Sequence, residues 1–171
     1  MIITITSYPG TETKELSKLL ALQTGLRYFS ANEIKKRIAV ETNLPIEKIQ
    51  EEDFTEKIKQ IIEQEAKNND IIIDHTLAAW IINNADLKVF LKAYKKTRAK
   101  KMSEKLKIPM GDSLEDIELK EKEQEKNFLN NYGINIYDLQ VYDLMINTDK
   151  LDEESVIGII KKYLEKMHKG Q

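Results

Sequence analysis

The first two dozen residues place a strand, a short loop and a helix in succession, and this order constrains the fold more than any other feature. Residues 1–5 form an apolar run typical of a buried strand, Pro9-Gly10 lies in the loop, and residues 16–22 have helical spacing. This is the setting in which the phosphate-binding sequence G-x-x-x-x-G-K-[ST] occurs. We therefore expect a ligand site, working or lost, at the end of the first strand.

Four residues of this loop differ from the phosphate-binding sequence at its defining positions. Ser7 and Glu12 replace the two glycines, Thr13 replaces the lysine, and Lys14 replaces the Ser or Thr that would bind Mg²⁺. Glycines let backbone N–H groups wrap the phosphates, and a carboxylate at position 12 places negative charge beside them. We predict a degenerate loop, whose candidate nucleotide contacts are Ser7, Gly10, Thr11, Thr13 and Lys14. The alternative is a working site in which Lys14 supplies part of the charge of Mg²⁺.

The composition indicates a single domain, residues 1–171, that is long enough to bury a substantial core. Charged residues make up 33% of the chain and the net charge is −2, so the whole protein lacks the basic character of a nucleic-acid-binding domain. The chain has no cysteine, which excludes disulfides and thiolate chemistry. No apolar stretch is long enough to span a membrane and no export signal is recognisable, so we expect a cytoplasmic location.

Predicted strands and helices alternate along the chain. Strands are predicted at residues 2–6, 26–29, 70–74, 87–91 and 141–147. Helices are predicted at residues 13–24, 31–41, 54–68, 77–82, 97–107, 114–131 and 153–167, with Ser30 and Glu33 forming a capping box before the second helix. This alternation predicts an α/β fold, with a parallel sheet covered by helices on both faces. The charged helical pair within residues 94–131 is predicted to be a lid.

Several short motifs along almost the whole chain, from residue 1 to about 164, resemble the archaeal-type cytidylate kinases. These are P-loop nucleoside monophosphate kinases. The C-terminal motifs are the most specific. The matching residues are Ile2-Ile3-Thr4-Ile5, Pro9-Gly10, Ser30-Ala31, Leu77-Ala78 with Trp80, Ala85-Asp86-Leu87-Lys88, Arg98-Ala99, Tyr132-Gly133-Ile134, Asp138-Leu139, Val141-Tyr142-Asp143-Leu144 and Ile146-Asn147-Thr148.

The resemblance implies a three-layer P-loop kinase fold that transfers the γ-phosphoryl group of Mg-ATP to CMP or dCMP. Such chemistry depends on positioning and charge stabilisation, for which the family uses several arginines. This chain has three arginines, and only Arg98 stands at a lid position where the family has one. At the other positions lysine keeps the charge but loses the bidentate fork. The replacing residues are Lys36, His75-Thr76, Lys101, Lys105, Lys120, Lys126 and Asn127.

Candidate site residues follow from the resemblance, and none is assigned a catalytic role. On the monophosphate side they are Ser30, Lys36, Asp74 and His75, and in the lid they are Arg98, Lys101, Lys105, Lys120 and Lys126. Asp74 ends a strand at the edge of the sheet where ligands collect, whereas His75 is either a nucleotide contact or a polar residue satisfied at a strand end. Asp74 and Asp143 are two acids that could hold Mg²⁺, but the absence of a Ser or Thr at position 14 argues against this, so no metal site is predicted.

The stretch from Lys88 to Lys107 has nine cationic residues against one acid, Glu104. We expect no acidic residue elsewhere to balance it locally. A solvated helix face is the usual explanation of such a run, and a surface that binds RNA or the ribosome is the second interpretation.

The sequence therefore predicts a cytidylate-kinase-like protein that does not catalyse phosphoryl transfer, or does so very weakly, and acts by binding a nucleotide or a partner. In that case it needs no cofactor. One alternative is an active ATP-dependent CMP/dCMP kinase with a divergent loop, which would use Mg-ATP. The other is an RNA- or ribosome-associated binding protein that uses the basic lid.

Overall fold

The computed structural model describes residues 1–67 and 70–169, with side chains to residue 167, and contains a parallel sheet flanked by helices. Its strands are β1 Ile2–Ser7, β2 Arg27–Ser30, β3 Ile71–Asp74, β4 Leu87–Lys92 and β5 Leu144–Asn147. Its α-helices are α1 Lys14–Thr24, α2 Ala31–Thr42, α3 Thr55–Ala66, α4 Ala78–Ile81, α5 Lys95–Leu106, α6 Met110–Tyr132 and α7 Glu153–Lys169. Short 3-10 turns occur at Ile46–Lys48, Glu51–Phe54 and Leu139–Val141.

All strand pairs in the sheet are parallel, and the strand order is β2-β3-β1-β4-β5. The chain leaves β1 toward one side of the sheet and reaches β4 on the other side of β1. The carboxyl end of β1 is therefore the topological switch point of the sheet, where open α/β folds bind ligands.

The two faces of the sheet carry separate apolar clusters, because side chains alternate along each strand. Ile71 and Ile73 point to the cluster that includes α2 and α3, whereas Ile72 points to the cluster that includes α1 and α7. Complete burial of one such aliphatic side chain is worth about 1.5–3 kcal/mol. The predicted α/β fold with helices on both faces of a parallel sheet is thus confirmed.

The predicted boundaries agree with the structure to within two residues, apart from the start of the last strand and the start of α6, which begins at Met110 rather than at residue 114. Val141 was expected to begin that strand, but it lies in a 3-10 turn, and β5 begins at Leu144. Tyr142 is buried there against Phe90, so an aromatic contact rather than strand pairing explains why this segment is apolar. The predicted helix end at Asn68 lies outside the described residues.

The predicted capping box is present at the start of α2, where the Glu33 carboxylate accepts a hydrogen bond from the Ser30 backbone N–H.

The predicted lid consists of α5 and α6, which pack against each other and lie over the loop that follows β1. The far end of α6 is not separate from the core, because Phe128 is buried in the cluster of α2 and α3. The lid is therefore anchored at this end and rests on the loop at the other.

Candidate functional site

The loop after β1 separates two cavities at the switch point of the sheet. The larger cavity, about 570 Å³, lies between residues 7–11, residues 50–52 and one face of α6. The smaller cavity, about 500 Å³, lies between residues 10–15, the end of α5 and Glu153. Gly10 lines both cavities and has a φ of +81°, a left-handed conformation that favours glycine.

Loop residues that replace the phosphate-binding ones contact other protein groups. The Glu12 carboxylate lies 3.0 Å from Nζ of Lys105 in the lid. The Thr13 hydroxyl is buried and lies 3.3 Å from both carboxylate oxygens of Asp74. Lys14 lines the smaller cavity. The loop is therefore held by contacts within the chain that a phosphate group would have to replace.

A lid side chain packs directly against the glycine of this loop. A Cβ added at Gly10 would lie 3.1 Å from Cδ1 of Ile117, and Ile117 is itself fully buried. Ile117 belongs to α6, so the lid brings an apolar contact to the backbone that a phosphate-binding loop would turn toward its ligand.

Arg98 is tied into the protein by three of its nitrogens. Nε donates to the Ala93 carbonyl oxygen at 3.0 Å, Nη1 donates to the Pro9 carbonyl oxygen at 2.5 Å, and Nη2 donates to the Glu121 carboxylate at 2.7 Å. Its guanidinium also lies over the Tyr8 ring, 5.3 Å from the centroid. Arg98 is 4% exposed, and its contacts with Pro9 and Tyr8 join the lid to the loop.

The other two arginines form a separate structural cluster. Arg27 and Arg37 both donate to the carboxylate of Glu65, which is buried, and both lie against the Phe29 ring. Burial opposes the ionised form of Glu65, but the two guanidinium groups outweigh this effect and lower its pKa. All three arginines of the chain are therefore engaged with carboxylates, and none of them lines the larger cavity.

His75 and Glu51 form a polar pair in the larger cavity. The His75 Nδ1 accepts a hydrogen bond from the Leu77 N–H, and its Nε2 lies 3.6 Å from the Glu51 carboxylate. Lys35 approaches the same carboxylate at 3.5 Å. Burial favours the neutral acid, yet His75 and Lys35 outweigh it and lower the pKa of Glu51 to about 2.

Asp74 lies at the carboxyl end of β3 and faces the loop. Burial raises the pKa of this carboxyl group, although the hydroxyls of Tyr28 and Thr13 donate hydrogen bonds to it. The residues present do not fit a Mg²⁺ site, because an ammonium stands at position 14 and the Thr13 hydroxyl is turned to Asp74. No group of three His, Asp or Glu side chains within residues 1–67 and 70–167 is arranged to hold a metal ion.

Comparison with known proteins shows the family of this chain. The family model described as the cytidylate kinase-like family matches residues 50–150. The cytidylate kinase of Pyrococcus horikoshii is 31% identical over 96% of this chain and 88% of its own length. That of Sulfurisphaera tokodaii is 33% identical over 98% of this chain and 97% of its own.

The chain belongs to the cytidylate kinase-like family. Shikimate kinase from Bacteroides thetaiotaomicron superposes with a TM-score of 0.67 over 96% of this chain and 98% of that chain, at 16% identity, so this likeness concerns the fold. An uncharacterised protein from Eubacterium ventriosum superposes with a TM-score of 0.78 over 97% of this chain and 98% of that chain, at 18% identity. In the described part of the chain, no helix has the length and apolar character needed to cross a membrane.

The family positions expected to carry arginines have different surroundings. Lys120 lines the larger cavity but pairs with Asp116 at 2.7 Å, and Lys101 lies exposed beside a small cleft near Arg98. Lys36 and Lys126 are exposed, and Lys35, next to Lys36, lines the larger cavity instead. Ser30 caps α2 rather than contacting the cavity.

The cationic stretch in the lid is partly neutralised, and the expectation that no other acidic residue balances it locally is wrong. Lys95 contacts Glu118 and Glu121, while Arg98 contacts Glu121 and Lys105 contacts Glu12. These acids lie far away in sequence, so only the fold reveals the pairing. Four lysines of the stretch are exposed and form no ion pair within the described residues. These are Lys92, Lys96, Lys101 and Lys107.

Sequence reasoning placed Ser7, Gly10, Thr11, His75 and Lys120 among the candidate site residues, and all of them line the larger cavity. It missed most of the face of α6 that also lines this cavity, where residues are spaced at i, i+3, i+4, i+7, i+8 and i+11. They are Lys120, Glu123, Gln124, Asn127, Phe128 and Asn131. This helical period is visible in the sequence, and a search for polar residues that share a face would have found it.

Proposed function

We propose that this member of the cytidylate kinase-like family binds a ligand in its larger cavity and does not transfer phosphate, or does so very weakly. The observation that carries the proposal is the set of contacts that the loop residues make within the protein. Ile117 packs on Gly10, Glu12 contacts Lys105 and Thr13 contacts Asp74. A nucleotide polyphosphate would meet a carboxylate and an apolar side chain where glycine N–H groups and a lysine are needed.

The arginines add independent support. Phosphoryl transfer needs positive charge around the transferred group, and removal of one such stabilising group costs on the order of 10²–10³ in rate. In this chain Arg27 and Arg37 pair with Glu65, and Arg98 joins the lid to the loop. Their guanidinium groups are committed to the structure of the protein.

Titration calorimetry with Mg-ATP, with CMP and with both, together with a coupled assay of phosphoryl transfer, tests the proposal. We expect no measurable binding of Mg-ATP at micromolar concentration and negligible turnover. Turnover of the usual enzyme order, about 1–10³ s⁻¹, would overturn the proposal.

The second candidate is an active CMP/dCMP kinase with a divergent loop. Two open cavities on opposite sides of the loop favour it, because a two-substrate kinase needs a donor site and an acceptor site. Lys14 and Lys105, which line the smaller cavity, would then supply the positive charge of the missing loop residues and hold Mg-ATP. The same assay separates the two candidates.

The third candidate is a binding surface for RNA or the ribosome on the lid. The exposed lysines at positions 92, 96, 101 and 107 support it, since ammonium groups at a surface neutralise phosphates. The acids that pair with Lys95, Arg98 and Lys105 reduce the positive charge available to it.

A further inference from the structure

The larger cavity is lined by groups that suit an uncharged planar ligand. Four carboxamide side chains line it, and each has both donor and acceptor atoms, as the edges of a nucleobase do. They are Gln50, Gln124, Asn127 and Asn131. Gln124 also donates to the Thr76 hydroxyl at 3.1 Å, which holds its amide group in a defined orientation.

Aromatic rings complete the lining, since Tyr8, Phe128 and Tyr132 all border the cavity. Phe128 and Tyr132 lie with centroids 5.5 Å apart, and Tyr8 is held by Phe90 and Arg98. Aromatic faces stack on bases of any sequence. The volume of about 570 Å³ lies within the usual range for small-molecule sites, which is about 300–1,000 Å³.

The charges around the cavity disfavour a phosphate monoester. Three carboxylates, Glu51, Glu52 and Glu123, line it against two ammonium groups, Lys35 and Lys120, and the imidazole of His75 lies beside Glu51. Both lysines already have carboxylate partners, because Lys35 contacts Glu51 and Lys120 contacts Asp116. A phosphate monoester carries about −1.5 to −2 charges at neutral pH and needs cations that are free to contact it.

We propose that the larger cavity selects an uncharged nucleoside over the corresponding nucleoside monophosphate. This inference rests on the proposed function, since it names the ligand class of the same cavity. The carboxamides of α6 and Gln50 recognise the base edge, the partly exposed rings of Tyr8 and Tyr132 stack on the base, and the excess of carboxylates over ammonium groups excludes the phosphate group.

Calorimetric titration of the intact chain with cytidine and with CMP tests the inference, and uridine, adenosine and guanosine extend the comparison to other bases. We expect at least one nucleoside to bind at least about tenfold more tightly than its monophosphate, a difference of about 1.4 kcal/mol. Glu123→Gln should narrow the difference by strengthening monophosphate binding. Glu154→Gln, which removes the same charge from an exposed position on α7, should leave it unchanged.

Asn131→Leu provides a second readout, since it removes hydrogen-bonding groups without changing charge. We expect it to weaken nucleoside binding severalfold while the circular dichroism spectrum stays that of the parent. Equal or tighter binding of the monophosphates, or no binding of any of the four nucleosides at millimolar concentration, would overturn the inference. Tight CMP binding without turnover refutes this inference alone, whereas phosphorylation by ATP refutes the proposed function.

Discussion

The two cavities beside the loop differ in the groups that line them. Carboxamide and aromatic side chains line the larger cavity, and none of the three arginines does. The smaller cavity, where a polyphosphate would lie if ATP bound there, is bordered by three carboxylates, two ammonium groups and two apolar side chains. These belong to Glu12, Glu15, Glu153, Lys14, Lys105, Met102 and Leu106. Under the proposed function, the chain therefore has more of the chemistry for holding a base than of the chemistry for holding a phosphate chain.

This difference follows from the kinds of interaction involved. Recognition of a base by amides and rings tolerates exchange of one polar residue for another, because each partner contributes modestly. A phosphate cradle needs particular backbone conformations and point charges together, so a few substitutions remove it as a unit. Under the proposed function, Ser7, Glu12, Thr13 and Lys14 are such a set of substitutions.

Repair of the loop is expected to have the largest effect and to act on the smaller cavity alone. The change is Ser7→Gly, Glu12→Gly, Thr13→Lys and Lys14→Thr in one protein. A lysine at position 13 would meet Asp74, which now contacts the Thr13 hydroxyl, and a glycine at position 12 would release Lys105. We expect Mg-ATP affinity measured by calorimetry to rise by about 10³-fold, roughly 4 kcal/mol, while turnover stays far below that of an ordinary kinase.

Glu12→Gln alone is the matched control for this repair. It removes the opposing charge but supplies neither glycines nor a lysine, so the gain in Mg-ATP affinity should stay below about tenfold. Full turnover by the repaired protein would show that the larger cavity needs no arginine to position a monophosphate, and the contrast between the cavities would then fail.

Arg98 provides the next test, because its replacement shows whether this arginine binds a ligand or stabilises the fold. Arg98→Ala leaves the Pro9 and Ala93 carbonyl groups without this donor. We expect the free energy of unfolding, measured in urea, to fall by about 2–3 kcal/mol. Lys100→Ala, at an exposed position on the same helix, should change it by no more than about 0.5 kcal/mol.

The opposite result, in which Arg98→Ala leaves stability unchanged, would mean that Arg98 contacts a ligand. Unchanged stability combined with weakened CMP binding would mean that its contacts with Pro9 and Glu121 contribute little. The arginine would then be available to the phosphate group, and the proposed selection against monophosphates would lose part of its basis.

The sequence predicts the sheet and its covering helices well, because the strands are continuous apolar runs and the helices between them are amphipathic. It predicts the site less well, because the contacts of the key residues are distant in the chain. Arg98 donates a hydrogen bond to Pro9, 89 positions away. Glu65 forms ion pairs with Arg27 and Arg37, which belong to two other elements. Residue counts identify scarce arginines, but only the fold reveals that each is already paired.

Replacement of Asp74, which contacts Thr13 of the loop between the two cavities, is expected to have a smaller effect on stability that depends on pH. Burial raises its pKa in the folded protein, so folding favours the protonated acid. The stability from this group is present at low pH and is lost as pH rises through the folded pKa. Asp74→Asn should therefore be more stable than the parent at neutral pH, by about 1 kcal/mol or less, and the difference should vanish below about pH 4.

Thermal unfolding at a series of pH values measures this difference. Asp53→Asn, at an exposed position, should show no comparable gain at neutral pH. A parent protein that is more stable than Asp74→Asn at neutral pH would mean that the hydrogen bonds from Tyr28 and Thr13 outweigh burial and that the ionised carboxylate strengthens the loop.

RNA binding by the lid is expected to show the smallest effect. It tests whether the outer surface binds phosphate groups even though, under the proposed function, the cavities do not. Lys101 is exposed and forms no ion pair within the described residues, whereas Lys162 on α7 pairs with Glu165. If the lid binds single-stranded RNA, affinity measured by fluorescence anisotropy should fall linearly with salt on logarithmic axes. Lys101→Gln should flatten that slope by roughly one unit per lost phosphate contact, and Lys162→Gln should leave it unchanged. No binding by the parent at low salt, or equal slopes for both variants, would show that the lysines of α5 only solvate a helix face, and phosphate recognition would then be reduced throughout the molecule.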